Sequence, residues 1–125
     1  MSKIISCAPI LLVKDVTEAV EYYRDKLGFD RAEMYGEPPS FAISARDNFD
    51  IMFSKAPQEN IIPHWKVIDK MWNVYFRVDD AEALYIELIE RGANIDYTLY
   101  KTPYNMLEFG INDINGYDIA FGQIL

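Results

Sequence analysis

The chain has 125 residues, half of them hydrophobic and 26% charged, enough for one domain with a real core and too few for two ordinary ones. Its net charge of −8, with a sequence pI near 4.5, argues against nucleic acid and anionic membranes as partners, whose phosphates it would repel, and tolerates a cationic ligand. A single cysteine, Cys7, excludes an internal disulfide and fits a reducing cytoplasm; the longest apolar run, residues 8–13, is far too short to span a membrane, and the N-terminal stretch carries no signal-peptide pattern.

The first element in chain order is an apolar strand, APILLV, at residues 8–13. A helix follows in DVTEAVEYYRDKLGF, residues 15–29, where Asp15 is the expected cap and Glu18 completes a capping box. Val16, Ala19, Val20, Tyr23 and Leu27 recur at helical spacing as one buried stripe, and Gly28 ends the helix. Three strands come next: FDRAEMY (29–35), PSFAISA (39–45) and FDIMFS (49–54), the last pair turning through Asp47 and Asn48. Residues 55–71 contain two prolines and no clean period, so they read as a connection with a short helical piece over 65–71.

The same order is then written again. WNVYFRV (72–78) is a strand, and DDAEALYIELIERGA (79–93) a helix with Asp79 and Glu82 as its cap and Ala81, Leu84, Tyr85 and Leu88 as its stripe. NIDYTLY (94–100), NMLEFGI (105–111) and GYDIAFG (116–122) are strands, the last pair joined by a tight turn at Asn115-Gly116. Asp15/Asp79, Glu18/Glu82, Ala19/Ala83 and Gly28/Gly92 recur at one fixed offset, the mark of two supersecondary units that complete one another. The expected fold is α+β: two tandem βαβββ modules forming a curved mixed sheet, with the helices on one face and a cleft on the other. Residues 1–125 make a single domain, with module 1 at 1–54, a linker at 55–71 and module 2 at 72–125.

Tyr23, Leu27, Gly28 and Phe29 follow the first strand and Asp15 in a pattern that resembles the vicinal oxygen chelate superfamily of glyoxalases, bleomycin-resistance-like proteins and dioxygenases. The tail NDINGYDIAFGQ is similar to that family's Asp-Pro-Asp-Gly hairpin, with Asp113, Ile114, Asn115 and Gly116 in the four places. The resemblance covers nearly the whole chain. Metal-dependent members hold a divalent ion at positions that fall here on Ala8, Asn73 and Ala120, a set without a strong donor for zinc, manganese or iron. The lone histidine, His64, lies in the linker. The resemblance is therefore to the non-metal, bleomycin-resistance-like branch, which implies no cofactor, ligand sequestration in place of turnover, and a homodimer with grooves shared between copies.

Strand alternation sorts the side chains of the expected cleft. Asp50 and Met52 face it from the first module, and Tyr75, Arg77, Met106, Glu108 and Asp118 from the second, with Asn73 at the inherited metal position. Trp65, Trp72 and Tyr104 lie nearby in loops or at strand ends. Asp113 belongs to the turn. Carboxylates with aromatic rings suit a cationic or aromatic small molecule, although such carboxylates are commonly only solvated. Two alternatives stand beside this binding role. One is a metal-dependent lyase or dioxygenase-type enzyme with non-standard ligands, such as His64 with Glu108 or Asp118. The other is a ligand-sensing or scaffold domain.

Overall fold

The computed structural model describes residues 1–125. The chain runs β1 (Ile10–Val13), α1 (Val16–Leu27), β2 (Arg31–Tyr35), β3 (Phe41–Arg46) and β4 (Phe49–Lys55), then two 3-10 turns, Gln58–Asn60 and His64–Lys66. It continues with β5 (Val74–Arg77), α2 (Ala81–Arg91), β6 (Ile95–Lys101), β7 (Met106–Asn112) and β8 (Asp118–Ile124). The architecture is α+β, two tandem βαβββ modules. It divides into two compact units, Met1–Ile61 and Ile62–Leu125. The strands hydrogen-bond as two separate four-stranded mixed sheets, ordered β1-β4-β3-β2 and β5-β8-β7-β6, where the sequence suggested one curved sheet. In each, the strand before the helix pairs in parallel with the last strand of its module and the remaining pairings are antiparallel. No helix is long and apolar enough to cross a membrane.

In the first unit α1 forms as its sequence dictates. Asp15 is extended and its side chain accepts the Glu18 N–H at 2.9 Å, while Gly28 takes the left-handed conformation, φ 76°, that closes the helix. The five stripe residues are all buried. Tyr23 carries the largest share: its ring meets Phe53 of β4 at 4.8 Å and Phe29 edge-on at 5.6 Å. Such ring pairs add about 0.5–1.5 kcal/mol each beyond area burial. Ile51 and Phe53 are fully buried, and Asp50, Met52 and Ser54 between them are half-buried, so β4 alternates as expected.

The second unit repeats the plan with one correction. Asp80, not Asp79, caps α2: its side chain accepts the Ala83 N–H at 3.0 Å, and Glu82 then stands one position too early for a capping box. The helix begins a residue later than the repeat implies but still stops at Gly92 (φ 83°), so it has 11 residues against 12 in α1. The two aspartates cannot be told apart from sequence, since either could cap. Beneath α2, Tyr85 meets Phe109 edge-on at 5.1 Å, and Phe109 and Phe76 stack on Phe121 at 5.2 and 5.6 Å. The helical piece expected over 65–71 is also corrected. Pro57 and Pro63 each immediately precede a single 3-10 turn, and Lys70 at φ 59° is left-handed, which stops a helix before Met71.

The cap assignment sets an outcome. Asp80→Ala should lower stability by about 1 kcal/mol in urea denaturation, and Asp79→Ala by less than about 0.5 kcal/mol.

Candidate functional site

The face of the second sheet turned away from α2 is built around Glu108 on β7. Parity puts Glu108 opposite Phe109, and it is buried to 1% exposure. An ionised carboxylate so placed is stable only with hydrogen-bond donors around it. Three phenols supply them. Tyr75 and Tyr104 donate to Oε1 at 2.7 and 2.8 Å, and Tyr97 donates to Oε2 at 2.8 Å. Trp72 Nε1 donates in turn to the Tyr97 hydroxyl at 2.9 Å, and the Trp72 and Tyr75 rings meet at 4.9 Å.

Two glycines let the rings reach it. Gly122 of β8 pairs with Glu108 and Gly110 of β7 pairs with Tyr97. A Cβ at Gly110 would overlap the Tyr97 ring, and one at Gly122 would overlap the Tyr75 hydroxyl, so both rings lie across the backbone where only hydrogen leaves room. Burial first, and then the hydrogen bond to Glu108, push all three phenols well above the ordinary tyrosine range.

Asp118, on β8, has the opposite circumstances. It is 3% exposed, and its Oδ1 has no hydrogen-bond partner. The carboxyl group of Asp96 on β6 is its neighbour. Burial above all, then the charge and hydrogen bond of Asp96 and the charge of Glu108, push Asp118 up to about 7. These groups border a pocket of about 520 Å³ lined by Lys70, Trp72, Asp96, Tyr97, Tyr100, Tyr104, Glu108 and Asp118.

Of the residues singled out from sequence, Trp72, Tyr104, Glu108 and Asp118 line this pocket, and Tyr75 joins it through Glu108. Met106 shares the parity of Glu108 but is outside the lining, and Arg77 is exposed, acting on Tyr75 only through its charge. Asn73 is otherwise engaged: its Oδ1 accepts the His64 N–H at 2.9 Å, while His64 Nδ1 lies 2.9 Å from the Trp72 carbonyl. Trp65 is likewise spoken for, since its Nε1 donates to the Gly116 carbonyl at 2.6 Å and ties the linker to the β7–β8 turn. Asp50 and Met52 are on β4 of the first unit. Asp113 is a turn residue, its Oδ1 accepting the N–H groups of Asn115 and Tyr117 at 2.9 and 3.0 Å.

Sequence reasoning missed Lys70, Asp96, Tyr97 and Tyr100. For the last three the reason is β6, whose pairing with β7 slips twice, once between Ile95 and Tyr97 and again between Tyr97 and Tyr100; Lys70 lies in the loop before β5. Strict alternation would put Asp96 and Tyr97 on opposite faces. The first irregularity turns both toward the pocket, as a bulge re-aims a side chain. The legible trace is Gly110, a strand-interior glycine that signals a close approach.

The fold and this pocket define a tandem βαβββ protein with a ligand-sized hollow in its second module. The family model for the Glyoxalase/Bleomycin resistance protein/Dioxygenase superfamily matches residues 3–121, and the chain belongs to that superfamily. Among solved structures, a bleomycin-binding protein from Streptomyces verticillus, complexed with copper(II)-bleomycin, is 24% identical, with 97% of each chain covered and a TM-score of 0.73. TnmS3, an antibiotic binding protein from Streptomyces sp. CB03234, is 21% identical over 100% of this chain and 99% of its own, with a TM-score of 0.72. A glyoxalase-related enzyme from Clostridium phytofermentans is 14% identical over 99% and 98%, with a TM-score of 0.78. At these identities the likeness establishes the fold. No curated protein matches the sequence.

The carboxylate–phenol cluster has two measurable consequences. Glu108→Gln replaces one acceptor oxygen with an amide donor that faces a phenol, and should cost about 1–3 kcal/mol in denaturant unfolding. The phenols keep their protons in the fold but lose them near 10 once unfolded. Their contribution is therefore fully present below about pH 10 and is lost as pH rises beyond it, an alkaline decline that Tyr97→Phe should lessen.

Proposed function

We propose that this chain is a binding protein that sequesters a small cationic or aromatic molecule, working as a homodimer without turnover. The observation that carries the reading is the pocket in which the most buried carboxylate, Glu108, is saturated by three phenols and serves as wall, while aromatic rings and two further carboxyl groups face the hollow. An acidic, ring-lined hollow attracts a cation at long range and holds it by ring contact at short range. The likeness to a bleomycin-binding protein and to an antibiotic binding protein supports the same direction.

The inherited metal positions suit this reading better than catalysis. Ala8 and Ala120 have no donor atom, and the Asn73 side-chain oxygen already accepts the His64 N–H. No three His, Cys, Asp or Glu side chains stand close enough together to hold an ion. A divalent cation of the kind that metal-dependent relatives use therefore does not fit the residues present. The homodimer is supported by apolar surface in the first unit, where Ile10 and Leu12 of β1 are 61% and 40% exposed.

The test is fluorescence titration with metal-free bleomycin, a cationic glycopeptide, in a Trp65→Phe background that leaves Trp72 as reporter. Saturable quenching at one equivalent per chain is expected, with a gel-filtration mass of twice 14.5 kDa. A flat titration removes the antibiotic reading, and one tightly held divalent ion per chain, needed for turnover of a substrate, removes the non-catalytic one.

A further inference from the structure

We propose that Asp118, with Asp96 beside it, is the recognition point for a protonated amine carried on an aromatic body, the ammonium donating to the carboxyl group of Asp118 and the body resting against Trp72, Tyr97 and Tyr100. The inference rests on the binding reading above and narrows it to a ligand class. Its basis is an unmet acceptor. Asp118 Oδ1 is buried and has no partner, on a side chain that lines the pocket. A buried oxygen in that condition is costly, and a donor brought to this carboxyl group by a ligand would relieve it.

Glu108 is less suited to this part, because Tyr75, Tyr97 and Tyr104 already donate to its two oxygens. The donor that suits Asp118 is cationic, since the lining holds three carboxyl groups against one ammonium, that of Lys70. Ring faces beside the carboxyl group favour a cation over a neutral donor of the same shape.

Below about pH 7 the free Asp118 carboxyl holds a proton, because burial and Asp96 push it up to about 7. An incoming ammonium keeps its own protons, and the proton of the carboxyl pair leaves to water. The other ionisable groups lining the pocket are Asp96, Tyr97 and Tyr100 from β6, Glu108 from β7, and Lys70 and Tyr104 from the flanking loops, with Tyr75 of β5 behind Glu108. Of these, Tyr97 and Tyr104 stay protonated well past neutrality, as does Tyr75, so the phenols around Glu108 take no part in a change between pH 5.5 and 8.5, whereas Asp118 is pushed into that range. Binding strengthens as pH rises through about 7.

Calorimetry with 2-phenylethylammonium and with neutral 2-phenylethanol tests the proposal on the intact protein. At pH 8 the ammonium should bind at least about tenfold more tightly than the alcohol. Its affinity should fall several-fold by pH 5.5. Buffers of different ionisation enthalpy should report proton release at pH 6 that vanishes at pH 8.5. Asp118→Asn should abolish the preference for the ammonium, while Asp96→Asn should keep the preference and move the pH profile to lower pH without removing it. Equal binding of the two probes overturns the ammonium site and leaves the broader binding role standing, as does a preference that survives Asp118→Asn. Absence of binding by both also overturns the site, and the bleomycin titration then judges the broader role alone.

Discussion

A carboxylate with almost no exposure to water, held by three tyrosine hydroxyls, is the constraint on which the second module's open face depends. Removing Glu108 from water would cost several kcal/mol without compensation. The compensation comes from β5, β6 and the turn before β7, so the three segments must converge on one point of β7 for the charge to be tolerated. Satisfied polar networks of this kind fix a single arrangement more sharply than an apolar patch does, because each misplaced partner leaves a buried group unpaired. The face of the sheet is thereby ordered with few aliphatic side chains. Gly110 and Gly122 are part of the same device, since each clears the backbone under one of the rings.

That device separates two acids that a sequence treats alike. Glu108 and Asp118 point to the same side of adjacent strands and are both nearly inaccessible. One receives phenol donors at both oxygens; the other meets a second carboxyl group and leaves Oδ1 without a partner. The difference lies in which donors reach each group. A saturated carboxylate is a structural element, whereas an unsaturated one defines what kind of guest the hollow would stabilise.

Much of the scaffold was legible because it follows local rules. The α1 stripe and cap, the alternation of FDIMFS and the Phe109/Ile111 core face come from periodicity and capping chemistry alone. Family membership was legible in the Leu-Gly-Phe stretch that closes α1 and in the final hairpin. The pocket was legible only in part. Trp72, Tyr104, Glu108 and Asp118 were within reach of alternation or proximity, but Tyr97, Tyr100 and Asp96 were not, because two irregularities in one short strand overrule the period of two. Nor could sequence show that Trp65 spends its Nε1 on the β7–β8 turn and Asn73 its Oδ1 on the linker, since those bonds join positions that no periodicity relates.

The repeat itself shows why the buried carboxylate cluster sits in one module. Both modules have the same strand order, yet the side chains on corresponding faces differ in kind. Across β1, β4, β3 and β2 the aligned residues are Ile10, Met52, Ile43 and Glu33, a row that is apolar on all but the edge strand β2. Across β5, β8, β7 and β6 one row reads Tyr75, Ala120, Gly110, Tyr97, and the next reads Arg77, Gly122, Glu108, Tyr100. Small residues in the middle of the second set open a trough, and polar aromatic residues at its edges fold over it. The apolar row has no such trough and no hydrogen-bonding instruction to give. Its surface gains most from contact with another apolar surface, whereas the second set gains most from a guest that brings a donor. A duplicated architecture has thus been divided between two kinds of surface, and the division follows from which residues occupy the central strands, where a side chain or its absence decides whether anything can lie across the sheet.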